Sequence, residues 1–237
     1  MSWRPTEPVE KPITVVLAEF LDTQRRRLKP RTYRRYEHLI DLFEASMNGY
    51  AYQSLSDVES ALFDDLYNRT GPAHREFCEI FGPEKIPENV GEFLHYFMPR
   101  KVNCGKDLLR AAGTTMRKLG TWLSENGYIG TEAAADMADR GGEAAKDLPA
   151  AETLAEALHA YADRFTGAVS EEEDGHFIIE TVGPDSLVLS GLLEGEAFTV
   201  PVPKKVARMC REGWTLSGLL GRTAKGWRLV EVWGVYT

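Results

Sequence analysis

Leu28-Lys-Pro-Arg-Thr-Tyr-Arg-Arg-Tyr-Glu-His-Leu-Ile-Asp-Leu-Phe43 joins a helix start, an apolar stripe and a basic face in one stretch. Pro30 suits the first turn of a helix, where its missing N–H is not needed, and it biases Lys29 away from helical angles. A preceding helix, from about Ile13 to Leu28, therefore ends here and a second begins. At about 100° of rotation per residue, Tyr33, Tyr36, Ile40, Phe43 and Met47 share one face. Arg31, Arg34, Arg35 and His38 fall within roughly 100° on the opposite side by the same rotation. Seven of the eleven residues from Arg25 to Arg35 are Lys or Arg, and none is acidic. Such a helix buries one face and offers the other to phosphate, although the solvated side of an ordinary amphipathic helix has the same pattern.

That positive stretch is a local reversal, because the 237-residue chain has a net charge of -8 and a pI near 5.3. Residues 51 to 97 carry nine acidic and three basic groups. A second basic surface follows on a helix read from Lys106 to Leu123. Its apolar side holds Leu108, Leu109, Ala112, Met116, Leu119 and Leu123, and its polar side Lys106, Arg110, Gly113, Thr114, Arg117 and Thr121. Small and hydroxyl side chains between cations let a helix approach a phosphate backbone and donate to it. Charge segregated in this way is the electrostatic footprint of a nucleic-acid binder.

The Lys29-Pro-Arg-Thr-Tyr-Arg-Arg-Tyr36 opening, the long helix after it and a later Leu119-Gly-Thr-Trp-Leu-Ser-Glu-Asn-Gly-Tyr-Ile129 resemble the N-terminal core-binding domain of tyrosine recombinases, the phage integrases. The resemblance covers roughly residues 13 to 130 and implies a compact helical bundle that clamps double-stranded DNA. It implies contacts to DNA from Arg31, Arg34, Arg35, His38, Lys106, Arg110, Thr114 and Arg117. Recombinase catalysis is not expected, since that family uses a His-x-x-Arg pair. None of His38, His74, His95, His159 and His176 has an Arg three residues later. Tyr236 reads as an aromatic in a final strand rather than as a nucleophile.

Residues 130 to 174 hold twelve acidic and three basic side chains and the pair Gly141-Gly142. They read as a linker of two helices, one ending near Asp139 and another from Glu152 to Phe165, closed by a solvated run Glu171-Glu-Glu-Asp174. After His176 the period becomes extended, with strands expected at Phe177–Val182, Ser186–Leu189, Ala197–Val202, Thr215–Leu220 and Trp227–Trp233 and a short helix at Pro203–Arg211. Five short strands in this order suggest a small β-barrel, OB-like or SH3-like. The repeated Leu189-Ser-Gly-Leu-Leu193 and Leu216-Ser-Gly-Leu-Leu220 fit two related hairpins, or convergent hairpin chemistry. Lys204, Lys205, Arg208, Trp227 and Arg228 form an accessory surface for single-stranded nucleic acid or a protein partner, because bases stack on rings while cations follow the backbone. The same rings are also what a barrel this small needs to fill its core.

Other chemistry is sparse. His74, Cys78, His95 and Cys104 match no familiar zinc spacing, and no phosphate-binding, dinucleotide-binding or nucleophile-elbow motif occurs. Ser56-Asp-Val-Glu59 reads as a helix capping box. No apolar run reaches a membrane span, and three cysteines without close spacing fit a reducing cytoplasm. The expectation is an α+β chain: a flexible tail at 1–12, a helical core-binding-like domain at 13–130, an acidic helical linker at 131–175 and a small β-barrel at 176–237. Its expected function is non-catalytic DNA binding, with no metal, cofactor or membrane. The rival is a protein-interaction adaptor that has kept the fold without DNA binding.

Overall fold

In a computed structural model, residues 7–191 and 197–237 are described. The chain divides into two compact units, one made of Met1–Cys104 and Leu108–Ala145, the other of Gly105–Asp107 and Lys146–Thr237. The architecture is α+β, mostly helical at first and then a five-stranded antiparallel sheet.

In the first unit, α1 (Ile13–Arg27) and α2 (Pro30–Tyr50) break at Lys29-Pro30 as the proline chemistry predicts. Their apolar stripes meet: Val16, Leu17 and Phe20 are buried with Leu39, Ile40, Phe43 and Met47. Tyr33 and Tyr36 are only half-buried at the upper end of the stripe. Next come α3 (Asp57–Tyr67), with the expected capping box between Ser56 and Glu59, and a single turn, α4 (Phe77–Ile80). Then α5 (Ile86–Glu92), a π-turn (Phe93–Phe97) and α6 (Met98–Lys101) follow without a break. The π-turn lies just before Pro99, which has no N–H and whose ring crowds the carbonyl four residues back. Phe93, on this turn, meets Phe43 of α2 with ring centroids 5.0 Å apart.

The rest of the first unit is a helical hairpin of α7 (Lys106–Glu125) and the start of α8 (Thr131–Ala162). The expected pair of linker helices is thus one continuous helix, and Gly141 does not end it. A Cβ on Gly141 would lie 2.5 Å from the Gly113 carbonyl oxygen and 2.8 Å from the Arg117 nitrogen; one on Gly113 would lie 2.5 Å from the Ala145 nitrogen. Both glycines are there because the two helix backbones touch. Pro149 lies inside α8 and offers no N–H to the Ala145 carbonyl, close to where the chain passes from the first unit to the second.

The chain ahead of α1 is anchored from Val9 onward, where a loose tail to residue 12 was expected. The Val9 and Ile13 N–H groups donate to the Ile80 and Phe81 carbonyls, and Lys11 pairs with Glu19 at 2.8 Å and with the Tyr128 hydroxyl. The first six residues of that expected tail lie outside the described residues.

In the second unit the strand order is β3-β2-β1-β4-β5, all neighbours antiparallel. The strands are β1 (Glu171–Val182), β2 (Ser186–Gly191), β3 (Ala197–Pro201), β4 (Thr215–Thr223) and β5 (Gly226–Tyr236), with α9 (Lys204–Ala207) between β3 and β4. One sheet face buries Phe177, Ile179, Leu187, Leu189, Leu216 and Leu229 against Ala151, Leu154, Leu158 and Ala162, which recur at helical spacing on the last turns of α8.

Two expectations change here. Among the described residues no ladder joins β3 to β5, so the sheet is open and not a closed barrel. The edge strands still approach through their side chains, Phe198 meeting Trp227 edge-on at 5.0 Å. The run Glu171-Glu-Glu-Asp174 is also strand rather than loop. It pairs with β4 from Arg222 to Leu219, while the β2 ladder covers β1 only from Phe177 onward. Among the described residues these four acids have a ladder partner on one side only, and charge on a strand edge disfavours pairing with another chain. The repeated five-residue stretch falls on β2 and β4, but Leu192 and Leu193 of its first copy lie outside the described residues.

Candidate nucleic-acid interface

The basic surface is built by the break between α1 and α2. The last turn of α1 carries Arg25, Arg26 and Arg27, and the first turn of α2 has no acidic residue. Burial of the apolar stripe of α2 turns Arg31, Arg34, Arg35 and His38 outward, and all four are exposed, as are the three arginines of α1 and Lys29. Among the described residues, none of the seven Lys and Arg side chains among them has an ion pair or a side-chain hydrogen bond. Arg25 rests on the Tyr33 ring at 5.9 Å. Asp22 and Glu37 are the acids near Tyr33, and Glu37 accepts its hydroxyl at 3.1 Å.

Tyr36 connects this corner to α7. It is half-buried and stacks on Phe20, with ring centroids 6.2 Å apart. Burial holds its hydroxyl above the ordinary tyrosine value, while the charges of Arg27 and Arg117 pull the other way. Arg27, from the end of α1, and Arg117, from the middle of α7, therefore lie near one phenol.

The remaining expected contacts on α7 are differently placed. Lys106 is half-buried and pairs with Glu156 at 2.6 Å. The Thr114 hydroxyl donates to the Arg110 carbonyl at 3.0 Å and that of Thr121 to the Arg117 carbonyl at 3.1 Å, so neither proton is left for a phosphate. Gly113 is buried, and the backbone it admits is that of α8. Arg110 and Arg117 are exposed. The structure thus gathers Arg31, Arg34, Arg35 and His38 with Arg117 nearby, and engages Lys106 and Thr114 internally. Arg25, Arg26, Arg27 and Lys29 join the corner; the signal that finds them is the density of cations across the helix break.

The C-terminal cations are in part engaged within the fold. Lys204, Lys205 and Arg208 are exposed on and just after α9, which is a single turn. Arg211 pairs with Asp147, and Arg222 with Glu171 at 3.0 Å. Arg228 donates to the Trp227 carbonyl at 2.8 Å, and the Trp227 ring packs on Phe198. Trp233 is the most exposed large apolar side chain described, but its indole N–H donates to Glu231 at 3.1 Å. The structure does not gather rings and free cations into one groove here.

No cluster of three His, Cys, Asp or Glu side chains suited to a metal occurs among the described residues. Cys78 and Cys210 are buried; burial pushes both thiols up, that of Cys210 to about 11. No described helix is long and apolar enough to cross a membrane. No family model matches the chain, and no curated protein or solved structure matches it.

Proposed function

We propose that this protein binds double-stranded DNA through the α1–α2 corner, in the manner that the resemblance to recombinase core-binding domains implies, and without catalysing strand exchange. One observation carries the reading: seven cations in eleven residues stand exposed across a helix break, with no acidic partner among the described residues, in a chain of net charge -8. Leaving such groups unpaired forgoes the ion pairs a charged surface usually makes, and a polyanion supplies those partners by releasing its condensed counterions. Arg31, Arg34 and Arg35 contact phosphate and set the register of the helix on the duplex, which makes the binding weakly dependent on sequence. A reducing cytoplasmic location belongs to the same proposal and is supported by the three free cysteines.

The test is duplex binding by the full chain, read by fluorescence anisotropy across a salt series. A steep fall of affinity with salt is expected. Replacing Arg31, Arg34 and Arg35 together by Ala is expected to reduce the slope of log K against log salt by about 2.7, three phosphate contacts at about 0.9 each. Unchanged low-salt affinity in that variant would reject the assignment.

A further inference from the structure

The first unit carries a second exposed surface, opposite in charge to the corner. Two residues after α2, Tyr52 stacks on Phe63 of α3 with ring centroids 5.9 Å apart and planes 3° from parallel. Tyr67 stacks on the same ring from α3 itself, at 5.0 Å and 23°. The outer two rings are open to solvent, Tyr52 being 46% and Tyr67 42% exposed. Asp57 and Asp64 are seven residues apart on α3, so they share one line along it, separated by about 10 Å at 1.5 Å per residue. Tyr67 lies within about 60° of that line by the same rotation. Both carboxylates are exposed and lack an ion pair among the described residues, whereas Asp65 and Glu76 nearby are taken by Arg69 and His74.

We infer that this tyrosine and aspartate face of α3 docks the Arg25–Arg35 corner of a second copy of the chain. Guanidinium groups stack on aromatic rings and pair with carboxylates, so Arg is the side chain that satisfies both halves of the face. The chain itself carries unpaired arginines at high density, and Arg25 on Tyr33 already makes this kind of contact. Arg31, Arg34 and Arg35 extend over about 6 Å of α2, less than the about 10 Å between the two aspartates, and the long arginine side chains bridge the difference. Because the two patches differ, the contact is heterologous, corner of one copy to face of the next. Duplex DNA would take the same cations, so it competes with the second copy. Self-association does not depend on the DNA reading, and the competition does.

Sedimentation velocity of the full chain over a concentration series, at about 50 mM and about 500 mM salt, tests this because screening shortens the reach of exposed charges. The expected result is a mass that rises with concentration at low salt and returns to the monomer at high salt. The exposed double change D57K/D64K, and separately R31E/R34E/R35E, are each expected to abolish association, with circular dichroism verifying the fold. Mixing the two variants is expected to restore it, since each then offers the charge that the other lacks. A wild-type chain that stays monomeric at low salt overturns the proposal. So does association that survives D57K/D64K, or a mixture that remains monomeric. The neutral change D57N/D64N removes the docking carboxylates, adds no cation and keeps the corner, so its DNA binding reports on the DNA reading alone.

Discussion

The α1–α2 corner and the surface around α9 and the β4–β5 turn have similar composition, arginines and lysines beside aromatic rings, yet they differ in what surrounds them. At the corner, burial of the Ile40 and Phe43 stripe leaves the cations exposed and, among the described residues, without an ion pair, although Asp22 and Glu37 lie near Tyr33. In the second unit Asp147 takes Arg211, Glu171 takes Arg222, and Trp227 turns onto Phe198. Availability, more than the number of cations, separates a binding surface from a solvated one. An acid brought across the fold removes a cation that local sequence leaves unpaired.

The polar side of α7 extends the lesson, since its small residues serve the α8 backbone. Gly141→Val is expected to have the largest effect on stability, about 3 kcal/mol, because the new side chain meets the backbone of α7 and not a movable group. Chemical denaturation checks this, and a loss below about 0.5 kcal/mol would mean that the helices are not in contact there. The corner's triple substitution comes next in size, and its effect belongs to affinity rather than stability.

Glu59 tests whether an acid is held by the fold. Burial raises its pKa, but hydrogen bonds from Lys85 and Ser56 outweigh this and bring it to about 2. Its folded value lies below the unfolded one, so its contribution is present above about pH 4.5 and is lost as the pH falls toward about 2. With the side chain 30% exposed, Glu59→Gln is expected to cost about 1–2 kcal/mol at neutral pH, and that cost should fade in acid. An equal cost at both pH values would show that the carboxylate charge is not what matters.

His74 supplies a smaller effect of opposite sign. Its side chain bonds to the carboxylate of Glu76 and the carbonyl of Tyr67, both of them acceptors, and these raise its pKa above the ordinary histidine value. The contribution is complete below about pH 6.5 and disappears as the pH rises through the folded value. NMR titration of the imidazole checks the direction; a midpoint at or below the ordinary value would remove the pair. Smallest of all, Arg211→Ala and Arg222→Ala are expected to leave the DNA salt slope unchanged, and a drop comparable with the corner variant's would erase the contrast between the two regions.

Much of this was legible along the chain. Pro30 determined the break between α1 and α2, the 3.6-residue period determined Ile40, Phe43 and Met47 of the buried face of α2 and Leu109, Ala112, Met116, Leu119 and Leu123 of that of α7, and Ser56 with Glu59 determined the start of α3, because each is a property of adjacent residues. The β order after Phe177 was legible from alternation alone. Closing or opening the sheet was not, since that depends on how far β3 and β5 curl toward each other. Glu171 to Asp174 became strand because β4 offers them a ladder, and four acids have no local tendency to form one. Gly141 looked like a helix end and became a helix contact because Gly113 lies across from it. The sequence by itself determined where cations, rings and helix starts occur, through short-range sterics and periodicity. Only tertiary structure decided which cations meet a carboxylate and which glycines meet a backbone, because those partners lie on other elements and are brought near by burial of the core.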